Sequence, residues 1–226
     1  MVKRIIFAFM NTTKIIANTI VFVKETLKGA EGGHDWFHVE RVYKNALQIA
    51  KQEKVDGFVV SLGALLHDIA DSKFYGGDET VGPQKARAFL MSEQVAEPII
   101  VHIEQIIKNI SYKGGNFKQI FTSPELKVIQ DADRIDAIGA IGIARCFNYG
   151  GFKNRELYNP AISPNLNMTK EEYKKSKAPT INHFYEKLLL LKDKMNTETG
   201  KKIAEERHVF MEKFLKQFYN EWNGLC

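Results

Sequence analysis

The amino-acid sequence predicts an all-α protein, and two patterns carry that prediction. Apolar residues recur at helical spacing along most of the 226-residue chain, which places them on one face of successive helices. No stretch shows the alternation of apolar and polar residues that is typical of a half-buried β-strand. Because a chain of this length forms one sizeable core or two small ones, we expect a single-domain helical bundle.

Three helices are predicted in the first 70 residues. The first carries an apolar stripe that includes Ile16 and Val23, and it ends at the glycines of KGAEGG, a residue type that often terminates helices. The second spans about 36–50, where apolar residues repeat at three- and four-residue spacing. The third, at 57–70, is apolar on nearly all sides, which predicts a central, buried helix.

Residues 1–12 are expected to form a leader before the domain, which we assign to residues 13–222. Their basic start and short apolar run resemble a signal peptide, but the run stops at Asn11 and no small-residue cleavage site follows. No apolar window approaches the roughly 20 residues that a membrane span needs. The leader is therefore predicted to be poorly ordered or to lie against the domain, and no membrane association is expected.

The middle of the chain continues the helical pattern. Helices are predicted at about 79–92 and 96–110. Another begins at the sequence SPEL, where Ser123 is a good N-cap and Pro124 suits the first helical position. We expect this helix to continue into the run 137–147, whose small residues allow close contact between helices.

One long segment, 148–180, lacks helical periodicity and contains several glycines and prolines. Loops of this length inside compact domains are usually functional lids or flexible segments. Two further helices, at about 181–195 and 197–222, are predicted to complete the domain.

The composition is that of an ordinary soluble globular protein, with 44% hydrophobic and 26% charged residues. The net charge of +5, from 32 basic and 27 acidic side chains, fits an anionic small-molecule substrate. It is too dispersed to indicate a nucleic-acid polymer as partner. Because Cys146 and Cys226 are the only cysteines, we expect no disulfide framework and a cytoplasmic location.

Three separated sequence patches supply side chains that together suit a divalent metal ion. HDWFHVERV contains His38, LLHDIAD contains the adjacent His67 and Asp68, and QDADRIDA contains Asp133. Imidazole nitrogen and carboxylate oxygen are ligands for Mn, Mg, Fe, Ni, Co or Zn. A charge at the end of a buried apolar helix is costly unless it is paired or bound to metal. We therefore predict one divalent ion at these four residues, of unspecified identity.

The patches resemble the motifs of the HD-domain superfamily of metal-dependent phosphohydrolases, specifically its small bacterial subgroup. The likeness rests on GHDWFHVERV, LLHDIAD and QDADRIDAIGAIGIAR, and it covers residues from about 13 to 222. The third motif is the most specific because it extends well beyond its ligand aspartate. The resemblance implies a bundle of helices with the metal at its centre and the same four ligands.

The implied activity is hydrolysis of a phosphate ester or anhydride, in particular of a nucleotide, by a metal-activated water. The ion would lower the pKa of its bound water and offset negative charge on phosphorus. Removal of pyrophosphate from a nucleoside triphosphate and phosphomonoesterase action are both compatible with the motifs. Asp71, three residues after Asp68, is a candidate catalytic base or water-orienting group. The alternative is a helix-end carboxylate that pairs with arginine or lysine.

Basic and aromatic side chains near the motifs or the irregular segment are candidates for contacting the substrate. They are Arg41, Lys73, Arg134, Arg145, Tyr149, His183 and Lys187. His183 and Lys187 lie one turn apart on a predicted helix and would supply cations to an anionic group. Pairing with a nearby aspartate explains Arg41 about as well, and a solvated helix face explains Lys187 equally well.

Three further histidines and one aspartate have competing interpretations. His34 lies four residues before His38 and could bind the same ion, but a contact behind the ligands or with substrate is favoured. Asp35 is expected to be an N-cap or a hydrogen-bond partner of a ligating histidine. His102 lies on an amphipathic helix, where an ordinary structural role is favoured over a second metal site. His208, in the charge-rich sequence EERH, is predicted to lie on the surface.

Two other functions fit parts of the sequence. A metal-stabilised nucleotide-binding or regulatory protein without turnover would use the same ligands. A di-iron oxygenase of the same fold would need more histidine and carboxylate ligands than the motifs supply. A screen for phosphate release separates the first alternative, and iron analysis with oxygen uptake separates the second.

Overall fold

The computed structural model describes residues 2–30, 33–70, 78–110, 120–169, 172 and 175–225, with side chains from residue 11 onward. Every regular element in these ranges is helical, which confirms the all-α prediction. The helices are α1 (Val2–Thr26), α2 (Trp36–Ala50), α3 (Gly57–Leu66), α4 (Val81–Ser92), α5 (Glu97–Asn109), α6 (Pro124–Asp136), α7 (Gly139–Phe152), α8 (Asn182–Glu186) and α9 (Glu198–Trp222), with 3-10 turns at Leu188–Leu190 and Lys192–Lys194. None of the described helices combines the length and apolar character that crossing a membrane would take.

The chain divides into two compact units. The first comprises Met1–Tyr112 and Lys118–Ala132, and the second comprises Lys113–Phe117 and Asp133–Cys226. The dividing point on the C-terminal side falls inside α6, which is a continuous α-helix from Pro124 to Asp136.

Helix α3 is the core element of the first unit, as its apolar sequence predicts. Its residues from Val59 to Leu66 are buried, and it packs against α1, α2 and α5. Gly63 permits the close approach of α6, because a Cβ there would lie 2.5 Å from Ile129 Cδ1. The helix begins at Asp56, whose carboxylate accepts hydrogen bonds from the backbone N–H groups of the first turn.

The core of the second unit is largely aromatic. Helix α7 packs against α9, and the rings of Phe147, Phe184 and Phe214 lie with centroids 5.8 to 6.0 Å apart. Beside them Cys146 is buried, and its thiol donates to the Thr180 carbonyl at 3.7 Å. Burial raises the pKa of the Cys146 thiol to about 12, against the opposing charges of nearby cations.

Helices α6 and α7 are separate, so the expected continuation of one helix through 137–147 was wrong. Ile138 is extended (φ −127°, ψ 168°), and Gly139 has a φ of +75°, which favours glycine. Gly142, in the first turn of α7, lies against the preceding connection, where a Cβ would lie 2.2 Å from the Ala137 carbonyl oxygen. Glycines therefore make the sharp joint between the two helices.

Helix α7 extends further than expected, so the irregular segment begins at 153 instead of 148. Gly150 stays helical because it is a contact point: a Cβ there would lie 2.2 Å from Thr180 Oγ1. Gly150, one of the two glycines that predicted a break, therefore serves helix packing.

Two other boundaries and one burial prediction differ from the sequence analysis. The region 181–195 forms α8 and two 3-10 turns instead of one helix, because Lys187 (φ −146°, ψ −57°) leaves the helical conformation. The backbone of α1 is helical from Val2, so the expected boundary at residue 13 lies inside a helix. His208 is buried, not exposed, since it shares the inner face of α9 with Ala204 and Met211.

Candidate metal centre

His67 is held in one orientation at the end of α3. It directly follows Leu66, the last helical residue, so α3 is shorter than the predicted 57–70 helix. Its Nδ1 lies 2.8 Å from the Ala64 carbonyl oxygen, which can only accept, so Nδ1 carries the proton. The lone pair of Nε2 is therefore the group that His67 presents, and this tautomer is the one a metal-ligating imidazole needs.

His38 on α2 faces that lone pair. Its side chain is buried, and its Nε2 lies 3.3 Å from Nε2 of His67. The two imidazole rings meet edge to face, with centroids 5.3 Å apart. Two ring nitrogens that converge in a buried site suit a shared cation, which can accept a lone pair from each.

Asp133 completes a cluster of three possible ligands. One ligand atom each from His38, His67 and Asp133 lies within 4.8 Å of the other two. Ligand atoms around one ion at about 2.1 Å lie about 3 to 4 Å apart, so small side-chain movements would bring all three into contact with a cation. Helix α6 sets the position of Asp133, and Ala132 before it is fully buried.

Asp68 lies beside the histidines and pairs with His34. His34 Nδ1 is 2.6 Å from Asp68 Oδ2, and the same oxygen is 4.0 Å from His38 Nε2. Burial acts to raise the pKa of Asp68, but the His34 hydrogen bond and the neighbouring imidazoles outweigh it and lower the pKa below its ordinary value. Asp68 is therefore a carboxylate at neutral pH, as a metal ligand must be.

Asp35 fixes the helix that carries His38. It is the N-cap of α2, and its Oδ1 accepts a hydrogen bond of 2.9 Å from the His38 backbone N–H. The capping role expected from the sequence is what the structure shows. His34, one residue earlier, reaches Asp68 from outside the helix.

Two arginines hold the C-terminal end of α6, which carries Asp133. Arg145 Nη1 donates to the carboxylate of Asp136 at 2.6 Å, and Asp136 is fully buried. Arg207 Nη1 donates to the Ile135 carbonyl at 2.5 Å. The guanidinium of Arg145, expected to contact substrate, is thus engaged by Asp136, to which the sequence analysis assigned no role.

Arg134 is likewise engaged in the structure. Its Nη1 donates to the Lys194 carbonyl, so it holds the second 3-10 turn in place. Arg41 is partly buried on α2, one turn after His38. Asp71 and Lys73 lie outside the described residues, so their predicted roles stay predictions.

The remaining substrate candidates gather in the second unit around an arginine that carried no motif. The Arg155 guanidinium lies 5.6 Å from the centroid of the Tyr149 ring. Burial, followed by the charges of Lys187 and Arg155, lowers the pKa of His183 to about 3. His183 is thus a neutral imidazole at pH 7, and the expected cationic role for it was wrong, while Lys187 is exposed on the same side.

The low pKa of the half-buried His183 gives a testable pH dependence of stability. Because the pKa of His183 falls from 6.5 to about 3 on folding, the unfolded chain takes up a proton first. The stabilisation is complete above pH 6.5 and is lost as the pH falls toward 3. We expect wild type to lose about 2 kcal/mol more unfolding free energy than His183→Gln between pH 7 and pH 5. Urea denaturation at both pH values measures this, and equal losses for the two proteins would contradict it.

His102 has a structural role in the first unit. Its Nε2 lies 2.9 Å from Ser123 Oγ and 3.8 Å from the Glu125 carboxylate. Ser123 also accepts from the Leu126 backbone N–H, so it caps α6 as predicted. His102 therefore supports the start of α6, the helix whose other end carries Asp133.

Comparison with known proteins gives one consistent family. The HD domain model matches residues 36–138. YpgQ from Bacillus subtilis is 37% identical over 207 residues, which cover 90% of this chain and 92% of YpgQ. A crystal structure of an HD-superfamily hydrolase from Bacillus thuringiensis has a TM-score of 0.76 and 43% identity, covering 94% of this chain and 98% of the other. A structure of YpgQ in complex with ADP has a TM-score of 0.74 and 32% identity, covering 93% and 96%.

Proposed function

This chain belongs to the HD-domain family, and from that premise we propose that it is a metal-dependent phosphohydrolase acting on nucleotides. Its similarity to proteins named HD-superfamily hydrolases supports a metal-dependent hydrolase at the coarse level. The finer proposal is that the reaction breaks a phosphate ester or anhydride bond of a nucleoside phosphate. Both a pyrophosphohydrolase and a phosphomonoesterase fall within it.

One observation carries the proposal: the convergence of His38, His67 and Asp133 around a point where ring nitrogens already face each other. The donor set of two imidazoles and a carboxylate, with Asp68 beside them, fits a divalent ion of the first transition row or Mg²⁺. When bound, such an ion polarises a phosphoryl oxygen and makes water more acidic.

One main-chain contact and one side-chain contact orient two of the proposed metal ligands. The Ala64 carbonyl holds the proton of His67 on Nδ1, so that Nε2 stays unprotonated. His34 orients the Asp68 carboxylate through a 2.6 Å hydrogen bond. We propose Asp71, three residues after Asp68 in the sequence, as the group that takes the proton from the attacking water.

The nucleotide as substrate class rests on two supports. YpgQ, which shares 32% identity with this chain in the structural comparison, has been crystallised with ADP. The net charge of +5 favours an anionic ligand. Arg41, Lys73, Tyr149 and Lys187 remain the proposed substrate contacts, and Arg155 joins them.

The proposal is tested by a screen of the metal-free full chain reloaded with Mn²⁺, Mg²⁺, Co²⁺ or Ni²⁺. Each form is incubated with ribonucleoside and deoxyribonucleoside mono-, di- and triphosphates, and phosphate and pyrophosphate are assayed separately. We expect release that depends on the added metal and stops with a chelator. Pyrophosphate as product identifies a pyrophosphohydrolase, and phosphate from a monophosphate identifies a phosphomonoesterase.

Silence of every metal form across this panel would overturn the phosphohydrolase proposal. It would leave a metal-stabilised binding protein, which calorimetry with ADP would then reveal. Iron content with oxygen uptake would instead indicate oxygenase chemistry.

A further inference from the structure

The second unit contains a cavity of about 300 Å³ whose lining includes none of the metal-centre residues. Its walls come from the irregular segment between Tyr158 and Pro164, from α8 and from the end of α9. Among the described residues, the lining side chains are aromatic, aliphatic, amide or hydroxyl, and none is charged. The volume lies at the lower end for small-molecule sites, which suits a single ring system.

Tyrosine rings form the walls of the cavity. Tyr158, Tyr185 and Tyr219 all line it. The Tyr158 ring is fixed by edge-to-face contacts with Tyr219 and Trp222, at centroid distances of 5.4 and 5.0 Å. Aromatic side chains held in this way stack on a planar ligand ring without losing much freedom of their own.

The cavity also has a hydrogen-bond donor to offer. Tyr185 donates its hydroxyl proton to the Tyr219 hydroxyl oxygen at 3.2 Å. A pair of hydroxyls uses only one of its two protons internally, and the Tyr219 hydroxyl donates to no acceptor among the described residues. Burial raises the pKa of the Tyr219 hydroxyl, so that the proton is retained at neutral pH.

An acceptor lies in the same lining. The Asn182 side chain is 1% exposed, and its amide nitrogen donates to the Ile162 carbonyl at 3.0 Å. This bond fixes the amide orientation and ties the irregular segment to α8. The Asn182 carbonyl oxygen accepts no hydrogen bond within the described parts of the chain. An N–H group of a bound ligand would donate to this oxygen.

We propose that this cavity binds an uncharged planar heterocycle with a donor and an acceptor on its edge, which is the chemistry of a nucleobase. The tyrosine rings stack on its faces, Tyr219 donates to a ring nitrogen or carbonyl, and Asn182 accepts from a ring N–H or amino group. The inference goes beyond the proposed hydrolysis, because neither a metal nor a phosphate takes part in the contacts.

The test measures binding of adenine, adenosine and uridine to the metal-free full chain in the presence of a chelator. Isothermal titration calorimetry measures the affinity of the wild type and of each variant for these ligands. We expect saturable binding of at least one of these ligands. Tyr219→Phe should weaken it about tenfold through loss of one hydrogen bond, and Ser163→Trp should abolish it by filling the cavity. Tyr43→Phe, on α2, removes a tyrosine hydroxyl elsewhere and should leave it unchanged.

The outcomes separate this inference from the hydrolase proposal. Saturable binding that Tyr219→Phe weakens and Ser163→Trp removes supports the cavity even if the phosphate screen is silent. The absence of saturation with every base and nucleoside at millimolar concentration would overturn it. Wild-type affinity in Ser163→Trp would also overturn it, and so would indole binding as tightly as adenine, since indole lacks the paired donor and acceptor.

Discussion

Replacing His67 by alanine is expected to remove the metal and to lower turnover by about 10³-fold or more. The change deletes the one ring nitrogen whose lone pair the Ala64 carbonyl fixes toward the cluster. Loss of metal-ion stabilisation worth about 4 kcal/mol in the transition state corresponds to about 10³-fold in rate. Metal content of the purified protein and turnover of the best nucleotide from the screen are the two measurements.

Two companion variants sharpen the result. His34→Ala should retain the metal but bind it about 10- to 100-fold more weakly, because His34 orients Asp68. His102→Gln changes a histidine that bonds Ser123 instead of the cluster, and it should keep the full metal content. A His67→Ala protein that is folded by circular dichroism and still carries one ion per chain with normal turnover would refute the proposed centre.

Gly142→Ala is expected to cost at least about 3 kcal/mol of stability, and the variant will accumulate poorly as a folded protein. The added methyl group would lie 2.2 Å from the Ala137 carbonyl oxygen and 2.5 Å from its carbon. Both are backbone atoms of the joint between α6 and α7, so no flexible side chain can move away. Overpacking of this kind typically costs 1–3 kcal/mol and more where the backbone must shift. Thermal and urea unfolding measure the loss.

The same helix offers a matched control in Gly151→Ala. No heavy atom lies within 4 Å of a Cβ built at Gly151, and the residue is exposed on α7. Alanine there should leave stability unchanged or raise it by about 0.5 kcal/mol, since alanine favours helices over glycine. Equal destabilisation by the two substitutions would show that the contact with Ala137 is not the cause.

Helix starts and the buried helix were predicted well from the sequence, because the interactions that determine them involve neighbouring residues. Ser123 caps α6 and Asp35 caps α2 by bonds to backbone groups within three residues, and such bonds depend only on nearby sequence. The apolar run of α3 is buried as expected, because burial on all sides leaves an unmistakable composition.

Predictions failed where a distant residue decides the local conformation. Gly150 predicted a break, yet it is helical because Thr180, 30 residues later, packs against it. The turn at Lys187 has no proline or glycine to announce it. His183 resembled a cation by residue type, but its burial and the charge of Arg155 depend on how the second unit folds.

The candidate site shows the same division. Its histidine and aspartate candidates could be recognised because the motifs keep fixed local spacing, and the structure brings His38, His67 and Asp133 together. The pairing of Arg145 with buried Asp136 was missed, although both lie in the third motif. An arginine near a motif is easily taken for a substrate contact, because the sequence does not show that its carboxylate partner is buried.

Cys146 gives the protein a built-in reporter of local opening. A thiol that is buried, with a pKa of about 12, reacts with alkylating reagents only when its surroundings come apart. In a variant in which Cys226 is replaced by serine, the labelling rate of Cys146 would therefore measure how often α7 separates from the segment around Thr180 in the native protein. A ligand that stabilises the second unit would lower the labelling rate of Cys146, so its binding could be detected without an enzymatic assay.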